Sequence, residues 1–190
     1  MRKLVYGAGI NDADYEVQGK VNGVRVVCPF YKRWSEVLKR CYSEKYKERK
    51  PSYAGCSVCE EWLTFSNFKA WMEKQDWRGK QIDKDIISAG NKIYSPENCA
   101  FVDDVTNSFV TDCSRSRGPH LIGAIWSKEW KKFAAACRDP FIKKGCHLGY
   151  FNDELSAHLA WKKRKHELAC QLADLQTDER VAQALRVRYL

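Results

Sequence analysis

The chain has 190 residues, of which 44% are hydrophobic and 13% are aromatic. This apolar content is enough for a packed core and excludes a disordered chain. The 33 Lys and Arg residues outnumber the 24 Asp and Glu residues, which gives a formal charge of +9. A basic surface favours polyanionic partners, because neutralised phosphates release their counterions, but it can equally serve solubility alone.

Positive charge is concentrated in two zones on either side of an acidic one. Residues 31–50 contain eight basic and three acidic side chains, and residues 115–170 contain twelve basic and five acidic side chains. Residues 76–112 between them contain seven acidic and four basic side chains. This distribution favours phosphate contacts around a cation site.

The cysteine content and the N-terminal sequence predict a cytoplasmic location. Nine cysteines are an odd number, and the N-terminal segment MRKLVYGAGIND has no apolar signal-peptide core. No apolar run approaches transmembrane length, so we expect no membrane partner. Thiols stay reduced in the cytoplasm, where clustered cysteines bind metal more often than they form disulfides.

In the first half of the chain, the apolar pattern predicts a hairpin over residues 15–27 with Asn22-Gly23 at its turn. It also predicts a helix from Pro29 to about Tyr42. Residues 43–55 are charged and contain Pro and Gly, which is typical of a loop. Residues 59–77 have helical spacing, with Ser66 as the expected N-cap.

In the second half, we expect a strand over residues 81–85, a turn over 89–92, and a short strand near Ile93. A helix should follow from Pro96, with Ser95 as its cap. The segments LIGAIWS, KKFAAACR and CHLGYF each look like a short strand. Helices are predicted over residues 152–175 and from Thr177 onward.

Four cysteines have a spacing that suits a metal ion. Cys56 and Cys59 form a C-x-x-C pair, and two thiolates at that spacing can bind one tetrahedral ion. Cys41 ends the first predicted helix, and Cys99 opens a later one. A structural zinc ion bound by these four would stabilise a thin core. They could instead be ordinary buried cysteines or a redox pair.

A second candidate site combines carboxylates and amides. Asp83, Lys84 and Asp85 follow a predicted strand, Asn91 lies in the next turn, and Asn98 comes shortly after. A carboxylate and an amide oxygen that face each other can hold one Mg²⁺-like ion beside a phosphate. Such residues also occur in any surface turn.

Residues 31–109 contain the runs RCYSEKYKERKPSYAGCSVCEEW and IDKDIISAGNKIYSPENCAFV, which resemble phage and mobile-element HNH-type endonucleases. The resemblance implies a ββα-metal module, with zinc on the four cysteines and catalytic Mg²⁺ or Mn²⁺. The resemblance also implies that Asp83 matches the metal-binding carboxylate and that Asn98 matches the Asn that opens the last helix of the module. Asn91 falls near the middle Asn of the HNH pattern.

One departure from the HNH pattern concerns the general base. The family has a His at or near the position of Lys84, or of Asp85 in a shifted alignment, and all four His residues of this chain lie in its C-terminal half. A protonated Lys is a poor base, but it can hold a phosphate electrostatically. The active site is therefore either a variant one or an inactive one.

The C-terminal segment, about residues 118–169, resembles the APETALA-type DNA-binding domain. That resemblance implies a three-stranded antiparallel sheet packed on one helix, with the sheet in the major groove of double-stranded DNA. At least one Trp is expected to pack on the helix, and the basic run 162–165 is more typical of a solvated helix face. The DNA-contacting candidates are Trp126, Lys128, Trp130, Lys131, Arg138, Lys143, Lys144 and His147.

Together these features predict an α+β protein in which a zinc-stapled HNH-like module is followed by the three-stranded domain. The expected organisation is residues 1–112 with a core at 31–109, a linker at 113–119, the DNA-binding domain at 120–175, and a short helix at 176–190. The leading hypothesis is a phage-type HNH endonuclease, homing or nicking, in the host cytoplasm. The alternative is a catalytically degenerate relative that binds DNA or inhibits a host enzyme.

Overall fold

The computed structural model describes residues 3–111 and 118–190 of the chain and has a mixed α+β architecture. It divides into two units, Met1–Asp103 and Asp104–Leu190. The predicted linker, residues 113–119, lies mostly outside the described residues. The first boundary predicted from sequence, residue 112, differs from this division, because the helix that starts at Asp104 makes its contacts within the second unit.

The predicted N-terminal hairpin is confirmed. It consists of β1 (Gln18–Val21) and β2 (Val24–Val27), which pair antiparallel. The two turn residues between them, Asn22 and Gly23, have φ angles of 51° and 79°. Both therefore adopt the left-handed conformation that a two-residue turn requires and that Asn and Gly tolerate best.

The helices of the first unit surround an aromatic core. Trp34 and Trp62 are fully buried, and the Trp34 indole donates a hydrogen bond to the Trp62 carbonyl at 2.7 Å. The predicted helix α1 has the expected bounds. The helical elements are α1 (Pro29–Tyr42), α2 (Glu44–Arg49), 3-10 turns at Pro51–Tyr53 and Glu60–Leu63, and α3 (Phe65–Glu73).

Two of these elements differ from the sequence expectations. Residues 43–55 were expected to be a loop, but Glu44–Arg49 is helical, and its Tyr46 ring lies 5.7 Å from the ring of Tyr53. Helix α3 starts at Phe65, so Ser66 lies inside it rather than at its cap. The Ser66 amide instead donates to the carboxylate of Asp12 at 2.9 Å, a contact from a distant part of the chain.

Four short strands complete the first unit: β3 (Ser57–Val58), β4 (Gln81–Asp83), β5 (Ile93–Tyr94) and β6 (Ala100–Val102). Strand β3 pairs with β5 in parallel, and β4 pairs with β6 antiparallel, with Asp83 opposite Ala100. The helix expected from Pro96 is therefore wrong. Residues 96–98 form only a turn, because the buried segment Ala100–Val102 pairs with β4 instead.

The second unit contains α4 (Asp104–Val110), a three-stranded antiparallel sheet of β7 (Ala124–Ser127), β8 (Lys132–Asp139) and β9 (Lys144–Phe151), then α5 (Glu154–Ala173) and α6 (Glu179–Val187). One sheet face packs on α5 through Ala135 and Ala157, which are fully buried. Helix α4 is held by Lys165, whose Nζ donates to the Phe109 carbonyl at 2.8 Å. The predicted three strands and two helices are confirmed.

Asp153 is the N-cap of α5, and its carboxylate accepts a hydrogen bond from the Ser156 amide at 2.8 Å. The side chain of Asp178 caps α6 in the same way. Among the described residues, no helix is long and apolar enough to cross a membrane.

Candidate functional site

The segment after β4 is a loop held by its own side chains. The Asp83 carboxylate accepts hydrogen bonds from the Asp85 amide at 2.8 Å and from the Ile86 amide at 2.7 Å. Burial raises the pKa of Asp83, and the neighbouring charge of Asp85 raises it further. The carboxylate is thus fixed at the end of β4, with a second carboxylate beside it.

Lys84 and Asn91 close this loop. The buried ammonium of Lys84 donates to the Asp85 carboxylate at 3.0 Å and to the Asn91 carbonyl at 2.8 Å. The Asn91 amide donates to the Lys84 carbonyl at 2.6 Å and to the Ile93 carbonyl at 2.8 Å, and its oxygen accepts from the Ile93 amide at 3.2 Å. Both side chains, expected to be catalytic, are engaged in holding the loop.

Asn98 lies at the same end of the strand pair as Asp83. It precedes β6 by two residues, and the register places Asp83 opposite Ala100. Its backbone amide donates to the Ser95 hydroxyl at 3.4 Å, in the turn that replaces the expected helix. The next helix, α4, begins only at Asp104 and belongs to the second unit.

The Asn91 contacts lead to a stability prediction. Asn91→Ala removes the partners of three backbone groups, and each buried backbone group left unpaired costs about 1–3 kcal/mol. Because Asn91 is half-exposed, water replaces part of this loss, and we expect a total of about 1–3 kcal/mol. Urea unfolding measures it, with Ser88→Ala in the same loop as the control. Equal midpoints for the two variants would show that the Asn91 contacts do not hold the loop.

The four cysteines of the predicted zinc site lie in the first unit as two pairs. Burial raises the pKa of Cys41 to about 12, and the neighbouring Cys56 raises it further, whereas Arg40 lowers it. Burial likewise raises the pKa of Cys99 to about 12, and Cys59 adds to this effect. Thiolates are the ligands that structural zinc prefers, so the donor type suits a zinc ion.

Between residues 3 and 111 and from 118 onward, no group of three or more His, Cys, Asp or Glu side chains is arranged to hold a metal ion. The donor chemistry of the cysteine pairs fits zinc, and two cations near Cys41, Arg40 and Lys84, would offset the charge of bound thiolates. The zinc assignment and the assignment of a divalent ion to Asp83 and Asn98 stay predictions.

The second candidate site is the face of the three-stranded sheet that points away from α5. Alternation along β8 places Phe133, Ala135 and Cys137 toward α5 and the residues between them on the opposite side. Directly opposed residues share a face in an antiparallel pair. The outer sheet face consists of Ile125, Ser127, Lys132, Ala134, Ala136, Arg138, Gly145, His147 and Tyr150.

Aromatic rings extend along this outer sheet face. The Tyr150 ring lies 4.7 Å from the ring of His147 and 5.6 Å from the ring of Trp130, which stands in the β7–β8 turn. Trp130 and Tyr150 are 57% and 44% exposed, so about half of each residue's area is free to contact a partner. None of the outer-face residues is acidic, and Lys132 and Arg138 are basic.

The predicted DNA-contacting residues separate into three groups. Trp130, Arg138 and His147 lie on or beside the outer sheet face, whereas Lys128, Lys131 and Lys143 stand in the turns at its two ends. Trp126 and Lys144 point to the other side. Trp126 is opposite Phe133, with the rings 4.9 Å apart, and Lys144 is opposite Asp139.

Sequence reasoning missed Lys132 and Tyr150. Lys132 shares the face of Arg138 by alternation along β8. Tyr150 joins this face only because the β8–β9 register shifts between Ala135 and Ala136, which the sequence does not show. It also missed Arg40, whose side chain lies among tyrosines in the first unit and has no carboxylate partner among the described residues.

Comparison with protein-family models, with curated proteins and with solved structures found no significant match to this chain.

Proposed function

We propose that the second unit binds double-stranded DNA through the outer sheet face. The observation that carries this proposal is the combination of basic and aromatic side chains on one exposed face without an acidic residue. A twisted three-stranded sheet fits the major groove, where side chains reach base edges and phosphates. The small residues Ala134, Ala136 and Gly145 leave room for close approach to the sheet.

The resemblance of residues 118–169 to APETALA-type domains supports the same partner. In APETALA-type domains the sheet, not the helix, contacts DNA. The basic run at 162–165 lies on α5, whose buried residues face the sheet from its other side. We therefore assign DNA contact to the sheet and a solvated surface to this run.

Two variants, one that removes a charge and one that removes an aromatic ring, test the interface. Arg138→Ala should weaken binding to a duplex oligonucleotide about tenfold and reduce the dependence of log K on log salt by about one, because one phosphate or base contact is lost. Trp130→Ala should weaken it by a similar factor through lost ring contact. Fluorescence anisotropy at several salt concentrations measures both effects.

The matched control is Lys163→Ala, which removes one exposed positive charge from α5. Its affinity should stay within about twofold of wild type, since it lies outside the proposed interface. If Lys163→Ala and Arg138→Ala lose equal affinity, binding follows net charge alone and the outer sheet face is not the interface.

A second candidate function, phosphodiester hydrolysis at Asp83, is favoured by the fixed, half-buried carboxylate with Asp85 beside it. We propose that Asp83 and Asn98 bind one Mg²⁺ or Mn²⁺ ion, as the HNH resemblance implies. This ion would polarise a phosphate oxygen when bound. Nicking of supercoiled plasmid is the assay. If the protein does not nick plasmid, it fits the alternative of a catalytically inactive protein that binds DNA or inhibits a host enzyme.

Within this second proposal, Asp85 is a better water-orienting group than Lys84. The Lys84 ammonium already donates to two acceptors and, while protonated, has no lone pair for a proton. The Asp85 carboxylate is about half-exposed, and a carboxylate can accept a proton from water. Lys84 contributes by positioning Asp85 through their ion pair.

We propose that Cys41, Cys56, Cys59 and Cys99 bind a structural zinc ion. The support is the C-x-x-C spacing of Cys56 and Cys59 and the burial of Cys41, Cys56 and Cys99 in the same unit. Zinc would fix the end of α1 to the part of the first unit that holds β4 and the turn of Asn98. Metal analysis of protein purified without chelator tests the assignment, and a zinc-free folded protein would contradict it.

A further inference from the structure

Arg40 is a half-buried cation whose partners in the described part of the chain are tyrosines. Its Nη1 donates to the Tyr94 hydroxyl at 3.3 Å, and its guanidinium carbon lies 5.6 Å from the centre of the Tyr53 ring. Among the described residues, no carboxylate pairs with it. A guanidinium has five N–H donors, so most of its hydrogen-bonding capacity remains unused.

Arg33, two turns earlier on α1, shows the usual arrangement for comparison. Its Nη1 pairs with Glu36 at 3.3 Å, and its Nη2 donates to the Lys80 carbonyl at 3.0 Å. The two arginines are seven residues apart on one helix and both are half-buried. Arg40 therefore differs from Arg33 in its partners rather than in its exposure.

Other polar groups with unused capacity surround Arg40. The Tyr53 hydroxyl makes no hydrogen bond among the described residues. Arg40 contacts Tyr94 in β5, and the neighbouring Ile93 carbonyl accepts from the Asn91 side chain. The Asn91 carbonyl in turn accepts from Lys84, so these contacts connect Arg40 to the loop that begins at Asp83.

The approach to this group is also cationic. The Lys39 ammonium lies 5.3 Å from the centre of the Tyr46 ring, and Lys92 donates to the Ser52 carbonyl at 2.8 Å. Neither of these exposed or half-exposed cations pairs with a carboxylate in the described part of the chain. Lysines and an arginine interleaved with tyrosines attract an anion and exclude part of its water.

We propose that Arg40 and Tyr53, with Lys84 behind them, form a phosphate-binding seat. A planar guanidinium with free donors can bind two oxygens of a phosphate group at once, and a phenol hydroxyl can donate to a third. This inference deepens the hydrolysis proposal, on which it rests for the nature of the substrate, because the seat would hold a DNA phosphate next to Asp83.

The experiment compares phosphate with chloride as ligands of the full-length protein. At equal ionic strength, inorganic phosphate should raise the melting temperature of wild type above its value in chloride. Arg40→Gln should weaken the apparent phosphate affinity about tenfold, since a charge-assisted bidentate contact is lost. Arg33→Gln is the matched control and should keep the wild-type response.

Tyr53→Phe is a second variant that tests the seat even if Arg40→Gln does not fold. It removes one hydroxyl that makes no hydrogen bond to residues 3–111 or 118–190, so the fold should persist while phosphate affinity falls severalfold. If phosphate stabilises wild type, Arg40→Gln and Tyr53→Phe measurably and to the same extent, phosphate binds elsewhere and the seat is overturned.

Measuring duplex DNA binding of the same variants distinguishes a site for free phosphate from a site for phosphate within nucleic acid. If duplex binding weakens in Arg40→Gln but not in Arg33→Gln, while free phosphate has no effect in any variant, the seat takes phosphate only within nucleic acid. If neither ligand distinguishes the two arginines, the proposal is wrong.

Measuring plasmid nicking distinguishes a failure of the phosphate-binding seat from a failure of the hydrolysis proposal. A wild-type protein that binds phosphate through Arg40 but never nicks plasmid retains the seat and loses the hydrolysis proposal. Nicking that is equal in Arg33→Gln and Arg40→Gln retains hydrolysis and overturns the seat.

Discussion

Gly123→Ala should destabilise the second unit by about 2–5 kcal/mol and lower its melting temperature by about 10 °C or more. Gly123 has a φ angle of +83°, and a Cβ at this position would overlap the Trp161 side chain. Left-handed backbone costs an alanine about 1–2 kcal/mol, and forced repacking adds about 1–3 kcal/mol. Trp161 is 9% exposed, so it has little room to move aside.

The matched control for this prediction is Gly145→Ala in the same sheet. A Cβ at Gly145 meets no atom within 4 Å, so we expect a change of no more than about 0.5 kcal/mol. Circular dichroism melts of both variants measure the difference. Similar melting temperatures would mean that Trp161 yields easily and that the contact between Gly123 and α5 does not order the second unit.

The reasons why Gly123 matters are not visible in the sequence. Its neighbour Trp161 lies on α5, and only the packing of the sheet on that helix brings the two together. The N-terminal hairpin, by contrast, follows from Asn22-Gly23 and the alternating residues around it, which are all local signals. Helix α1 is predictable for the same reason, since Pro29 and the apolar spacing define it.

Long-range contacts explain the elements that sequence analysis predicted incorrectly. The segment from Pro96 has the local pattern of a helix start, but pairing with β4 turns Ala100–Val102 into a strand. Residues 44–49 contain Glu, Lys and Arg, which are good helix formers as well as typical loop residues. Contact between Tyr46 and Tyr53 favours the helix there.

The candidate site was predictable in part. The sequence brings Asp83, Lys84 and Asp85 together by adjacency, but it does not show that the Lys84 ammonium is buried in the loop. Arg40 was one of eight basic residues in a charged zone, with nothing local to separate it from Arg33. Only the partners of each side chain distinguish the two.

Asp83→Asn should reduce plasmid nicking by about a hundredfold or more while leaving the fold intact. The Asn oxygen can still accept the Asp85 and Ile86 amides, so the loop should keep its shape. The substitution removes the negative charge that would hold a divalent ion, and such an ion contributes several kcal/mol to stabilising the reacting phosphate. Gel analysis of supercoiled plasmid with Mg²⁺ or Mn²⁺ measures the rate.

Asp76→Asn is the matched control, because it removes an exposed carboxylate whose ion pair with Lys80 lies in the irregular segment after α3. Surface pairs of this kind contribute little, so both nicking and melting temperature should stay near wild type. If Asp83→Asn nicks as fast as Asp76→Asn, the hydrolysis site lies elsewhere. If the wild-type protein does not nick at all but binds DNA through Arg138, the second unit has the binding function, and the Asp83 carboxylate serves only to hold its loop in the first unit.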